Sequence, residues 1–177
     1  SEQAIAKKNL IKLDGIPMLS RLHKRLKMAK SIDKIIVCTS TDVSDDPLED
    51  YCNKNNILVG RGSLNNVMER ICSVADKFNV KNIFEVLGDN PFIHYSLIDK
   101  AADIFRKNNY DYVANYSNDY RQVIKTNKFP VGVRVQVYST KKAQEYGRKD
   151  ITHLAHPCSF LYANPDFYKI NLFGAVD

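Results

Sequence analysis

No stretch of this chain is apolar for long enough to cross a bilayer, which takes about 20 consecutive apolar residues, so no membrane partner is expected. The N-terminus is polar and has no apolar core of the kind a secretory leader needs, which predicts no signal peptide. Cysteine is sparse: Cys38, Cys52, Cys72 and Cys158 lie far apart and form no CxxC pair. That spacing argues against a zinc site or a disulfide framework and predicts reduced, mostly packed thiols in a cytoplasmic protein. The formal charge of +6 is scattered and forms no basic stripe, which excludes DNA or RNA as the expected partner. A nucleotide or an anionic sugar suits that charge better. With no internal repeat, low-complexity tract or linker, the 177 residues are expected to form one domain, 1–177.

What is present is an alternation of short apolar runs and helical patterns. Asp14-Gly15 makes a turn, and Pro17 opens a helix whose apolar face is Met18, Leu19, Leu22, Leu26 and Ala29, with His23 and the lysines in solvent. Residues 34–39 form a strand that is apolar on both faces, and Asp45-Asp46-Pro47 opens a short helix to about Asn53. Ile57-Leu58-Val59 is a second strand. After it comes the cleanest amphipathic helix, from Leu64 to Phe78, with Ser63 as the expected N-cap. A strand at Ile83, a helix over 96–107 and a strand at Tyr112-Val113-Ala114 complete the array. Such an order predicts right-handed βαβ crossovers and a three-layer α/β fold with a mostly parallel sheet.

The character changes near residue 116, and an antiparallel C-terminal arm is expected from there. Segment 116–130 reads as a polar loop or arm. Val133, Val135 and Val137 alternate with Arg134, Gln136 and Tyr138, the period of a half-exposed strand, and 116–138 as a whole is expected to supply no central strand. A short helix over 140–146 and strands over 156–163 and 167–173 follow.

Ligands of open α/β sheets bind outside the carboxyl ends of the strands. Three such ends carry ligand-like groups. Gly88-Asp89-Asn90-Pro91 follows the central apolar run, with Asp89 as a hard oxygen ligand and Gly88 allowing close approach, although the same four residues make a plain turn. Gly60-Arg61-Gly62-Ser63 precedes a helix and could hold an anion, or the glycines could serve the turn and Ser63 the cap. Lys8-Asn9 precedes the first helix. A lysine with a carboxylate-bound Mg²⁺ is the minimum kit for nucleotidyl transfer.

The segments KKNLIKLDGIPMLSRL, VGRGSLNNVMER, VLGDNPFI, FPVGVRVQVYS and HPCSFLYANPDFYKINL, with their neighbours, resemble the cytidylyltransferases that make CMP-activated acidic sugars, especially the branch of spore coat polysaccharide biosynthesis protein F. The resemblance runs through nearly the whole chain. It implies a Rossmann-like nucleotidyltransferase fold, CTP and a sugar of surface-polysaccharide synthesis as substrates, Mg²⁺ as cofactor and a homodimer joined through an arm at 116–138. By the same likeness Lys8 and Asp89 are catalytic, with Asp89 as the metal ligand. Lys8, Asn9, Arg61, Gly62, Ser63, Arg70 and Gly88 would bind nucleotide, and Gly132, Gln136 and His156 the sugar.

Several positions depart from the family pattern. Its first strand and the start of its nucleotide loop have no counterpart here, and Ala4 stands where an arginine is expected. Its second acidic motif appears as Pro130 to Val137 without a carboxylate, with Arg134 at a metal-ligand position. Leu154-Ala155-His156 replaces an Arg-Glu-His triplet. Two rival functions therefore stand beside the enzyme: a degenerate homologue that binds nucleotide or sugar without turnover, and a nucleotide-sugar glycosyltransferase. The latter would want a DxD-like pair, for which Asp45-Asp46 is the nearest acidic cluster.

Overall fold

The computed structural model describes residues 8–115, 133–147 and 170–172. It opens on a hairpin of β1 (Lys12–Leu13) and β2 (Ile16–Pro17). Asp14 and Gly15 both adopt positive φ, 49° and 75°, as a two-residue hairpin turn requires. Proline then ends the strand and leaves α1 (Met18–Leu26) to start one residue on. Leu19 and Leu22 are its buried residues. His23, expected in solvent, is half-buried beside them, and burial together with the charge of Lys27 lowers its pKa.

β3 (Ile36–Ser40) and β4 (Leu58–Gly62) pair in parallel, with Cys38 opposite Gly60 and Thr39 opposite Arg61. Between them run a 3₁₀ turn (Val43–Asp45) and α2 (Asp46–Lys54), which has Pro47 in its first turn. α3 (Val67–Lys77) follows and packs on β4. Its N-cap is Asn66, whose side chain accepts from Glu69 N, so the cap assigned to Ser63 sits three residues further on. The reason is local: Ser63 Oγ accepts from Asn66 N and shapes the turn that precedes the helix.

A second sheet has the order β5-β7-β6-β8, built from β5 (Asn82–Glu85), β6 (Tyr112–Ala114), β7 (Gln136–Ser139) and β8 (Ile170–Leu172). α4 (Tyr95–Asn108) joins β5 to β6, and α5 (Thr140–Gly147) follows β7. β6 and β8 are parallel, whereas β7 runs antiparallel to both of its neighbours. The half-exposed strand expected over 133–137 is corrected here. β7 is interior, and Gln136, Val137 and Tyr138 are all buried, so the 116–138 segment does supply a central strand. Alternation misled because the polar partners of that strand are inside: Tyr138 donates to Glu85 at 2.8 Å and Tyr112 to Gln136 at 2.6 Å. The expected strand over 156–163 lies outside the described residues.

Two apolar clusters hold these layers. One gathers Leu22, Ile93, Ile98, Val113, Val135 and Val137 around the second sheet; the other joins Leu19, Leu48, Cys52 and Ile57 beside the first. A fully buried Val, Leu or Ile stabilises by about 1.5–3 kcal/mol relative to exposure, so each cluster outweighs the individual surface ion pairs around it. The second edges of β3 and β5 are unpaired among the described residues. Both border an apolar cleft of about 420 Å³ lined by residues such as Ile36, Cys38, Val74, Ile83 and Phe84.

Candidate active site

β5 ends at Glu85, and the chain turns twice before α4. Asn90 N donates to Leu87 O at 3.0 Å and Ile93 N to Asn90 O at 3.3 Å, so this is turn chemistry as well as a strand end. Ile93, wholly buried, pins the far side of the loop in the core. Asp89 is exposed at the crest and has no hydrogen bond or ion pair to any described residue. Leu87 and Phe92 flank it as exposed apolar groups, Phe92 at 70 %.

The residue that approaches Gly88 is Asn9. A Cβ placed on Gly88 would lie 2.8 Å from Asn9 Oδ1 and 3.0 Å from Nδ2. Asn9 itself is only 7 % exposed, whereas Lys8, next to it, is exposed. The structure therefore brings four of the expected residues to one place. Lys8 and Asp89, the exposed residues, are the chain neighbours of Asn9 and Gly88.

The end of β4 is built differently. Arg61 Nε donates to Ser40 O, NH1 to Asp46 Oδ1 and Glu49 Oε2, and NH2 to Asp42 O, each at 2.7 Å. Burial alone would lower its pKa, but the two carboxylates outweigh that and raise it. Four of the five guanidinium N–H groups are thus engaged within the protein, and a phosphate reaching Nη1 would have to displace Asp46 and Glu49. Arg70 closes the following turn, with NH1 donating to Ser63 O at 2.8 Å. Ser63 N donates to Glu69 Oε2 at 3.2 Å, so a carboxylate of the chain already sits where an anion would be sought. The glycines have a packing role: a Cβ would come 2.7 Å from the Val74 methyls at Gly60 and 2.8 Å from Arg70 Cα at Gly62. They let α3 lie flush on β4.

Asp45 and Asp46 offer no metal pair. Asp45 accepts from Thr39 Oγ1 and Ser40 Oγ at 2.6 Å and from Ser40 N at 2.9 Å, while Asp46 pairs with Arg61. Burial pushes the Asp45 carboxyl up, but those hydrogen bonds and the nearby Arg61 charge prevail and hold it below the usual carboxylate range. The glycosyltransferase reading thereby loses its nearest acidic cluster.

Of the sugar-side residues, Gln136 is buried in β7. Its Oε1 accepts from Tyr112 Oη at 2.6 Å and from Arg134 NH2 at 2.5 Å. Arg134 is half-buried beside it. Gly132 and His156 lie outside the described residues. Cys38, Cys52 and Cys72 are free thiols, each pushed up to about 11 chiefly by burial, which makes them poor thiolate nucleophiles or metal ligands at neutral pH. No group of three His, Cys, Asp or Glu side chains poised for a metal occurs among the described residues. Of the residues named by type, Asn9 and Gly88 meet in the structure, and Lys8 and Asp89 are their exposed chain neighbours. Reading by residue type missed Asp42, Asp46 and Glu49 as the partners of Arg61, because nothing in the spacing signals which carboxylates a strand-end arginine will meet.

Helices packed on strands, with exposed charged residues beyond a strand end, define the α/β class of protein. Solved structures give that class its particular form. A cytidylyltransferase from Leptospira borgpetersenii superposes with a TM-score of 0.83 at 20% identity, over 96% of this chain and 69% of that one. The CMP:2-keto-3-deoxy-manno-octonic acid synthetase complexed with CTP gives 0.69 at 14% identity, over 95% and 83%. At such identities the likeness shows the fold, that of the Rossmann-like nucleotidyltransferases. Residues 3–171 match the model of the cytidylyltransferase family, and the chain belongs to that family. Among curated proteins it is 29% identical over 165 residues to an uncharacterized protein of Methanocaldococcus jannaschii, covering 92% of this chain and 63% of that one. It is 30% identical over 100 residues to the spore coat polysaccharide biosynthesis protein SpsF of Bacillus subtilis, covering 55% and 42%. The chain spans less than two thirds of the length of both relatives. No helix among the described residues is long and apolar enough to cross a membrane.

Proposed function

We propose that this protein transfers CMP from CTP to the hydroxyl of a sugar used in surface-polysaccharide synthesis. The observation that carries the reading is the Asn9–Gly88 contact, whose chain neighbours Lys8 and Asp89 are both exposed, in a chain of the cytidylyltransferase family. In the reaction a sugar oxygen bonds to the α-phosphorus, the bond to the bridging oxygen of the β-phosphate breaks, and pyrophosphate leaves while the hydroxyl proton passes to solvent. Lys8 supplies positive charge to the phosphates. Asp89, free of any described partner, fits a Mg²⁺ ion that arrives with the nucleotide, since such ions are commonly held by one carboxylate plus phosphates and waters. When bound, the ion would polarise the phosphoryl group and neutralise charge that builds on the leaving pyrophosphate.

Arg61 belongs to the frame in this reading, because four of its five N–H donors already hold carboxylates and carbonyls of the chain. Arg70 shapes the turn at Ser63, and Gly62 gives the helix room. Gln136, with Gly132 and His156, is assigned to the sugar side. We place the reaction in the cytoplasm, in keeping with reduced Cys38, Cys52 and Cys72. We further propose a homodimer joined through the part of segment 116–138 that precedes β7, with Tyr116, Tyr120 and Phe129 as the anchors. Light scattering checks it: a dimer at tens of micromolar is expected, and Phe129→Asp should give monomer.

One observation favours binding without turnover. Arg134, half-buried on Gln136, puts a cation where the family pattern has a carboxylate. Pyrophosphate release from CTP with Mg²⁺ and 2-keto acid sugars separates the two. Release that depends on the sugar supports the transferase. Tight Mg²⁺-dependent CTP binding without release supports the silent homologue, and absence of both would sink the nucleotide reading.

A further inference from the structure

We infer that Asn9 is a positioning residue, a steric latch against Gly88 that sets where Lys8 stands relative to Asp89. The inference rests on the proposed site and adds to it a residue that acts without touching substrate. Asn9 is 7 % exposed, and its Oδ1 is buried without a hydrogen-bond partner among the described residues. Hydrogen bonding therefore does not account for the place of that acceptor. Shape does: the amide fills the space where any side chain at position 88 would begin, 2.8 Å and 3.0 Å from a Cβ. A long surface side chain would swing clear of such a Cβ, but a side chain this buried has nowhere to go.

The consequence lies one residue to either side. Lys8 precedes the latch and Asp89 follows it, and both are exposed. Asn9 belongs to the segment before the β1–β2 hairpin, and Gly88 to the loop between β5 and α4, so the contact joins two separately anchored parts of the chain. A methyl group at 88 would force them apart and separate the lysine from the carboxylate. Displacements of about 1 Å in catalytic geometry cost on the order of 100-fold in rate. Glycine at 88 is thus required by the protein's own asparagine, whether or not a ligand also comes near.

A mutant cycle tests this. Gly88→Ala is expected to lower Tm by about 3–8 °C, as overpacking does in a chain of this size, and to weaken Mg²⁺–CTP binding by about tenfold or more. Asn9→Ala removes both amide atoms that the new methyl would strike, so the double variant should recover most of the Tm that Gly88→Ala loses. A Gly88→Ala protein too unstable to purify, made soluble again by Asn9→Ala, supports the latch equally. Recovery of Tm without recovery of the parent's hydrogen exchange over residues 8–13 would overturn it, because the methyl at 88 would then be displacing the chain through some contact other than Asn9. Losses that merely add in the double variant would overturn it as well. Hydrogen exchange over residues 8–13, faster in Gly88→Ala and restored in the double variant, reads the same displacement without nucleotide. A parent that binds no CTP would therefore end the proposed function, while the exchange and melting data still decide the latch.

Discussion

Two strand ends of this molecule carry similar sequence signals and have opposite structures. At the end of β4, glycine, arginine and serine lead toward a helix; after β5, glycine, aspartate and asparagine do the same. The first end is closed on itself, with Arg61 shared among Asp46, Glu49 and two backbone carbonyls and Ser63 N given to Glu69. The second is open, with Asp89 exposed and free of described partners and Lys8 nearby. A charge beside glycine is thus closed into the frame or left open to solvent according to whether opposite charges lie within reach. Here α2 brings two carboxylates to Arg61, and no described residue brings a cation onto Asp89.

The largest effect expected from that contrast is at the open end. Asp89→Asn should reduce Mg²⁺-dependent turnover by about 100-fold or more, the scale of several kcal/mol that a metal supplies, with Tm almost unchanged. Unaltered CTP titration curves with Mg²⁺ would break the comparison by making Asp89 a turn residue only. At the closed end the order reverses. Arg61→Ala should cost about 2 kcal/mol of stability, read by urea unfolding, and change CTP affinity little, because it leaves Asp46 and Glu49 facing each other unpaired. A stable Arg61→Ala protein that loses CTP would return Arg61 to the phosphates.

A smaller effect sharpens the closed end further. Asp45 has a folded pKa below its unfolded value, so its contribution to stability is present above about pH 4 and is lost as pH falls through the folded pKa. Acid unfolding of the parent should therefore be steeper than that of Asp45→Asn, in which this titration is gone. The least effect belongs to His23, whose lowered pKa means the unfolded chain takes up a proton first. Stability should decline slightly as pH falls below about 6.5, and His23→Gln should abolish that slope.

The array of strands and helices from Met18 to Ala114 was legible because each element announces itself by period: Leu19 and Leu22 on α1, the apolar run before Ser40, Val74 and Ala75 on α3. So was the crest at Asp89, since glycine and proline punctuate it. β7 was not legible. Alternation normally means water on one face, but here Gln136 and Tyr138 are satisfied inside, by Tyr112 and Glu85, and such pairing depends on tertiary register. Arg61 misled for a related reason: residue type shows that an arginine can hold an anion, and only the fold shows which anion. The Asn9–Gly88 contact joins residues too distant in sequence for any spacing rule to find.

α1 carries a last consequence, concerning how the molecule comes apart. Its two buried leucines, Leu19 and Leu22, enter different apolar clusters, one on each sheet. A helix rooted in both works as a rivet: neither cluster can loosen without pulling on the segment that also seals the other. Opening is then an all-or-none event across the β3–β4 and β5–β7 regions, and the slowest amide exchange in both should follow a single free energy.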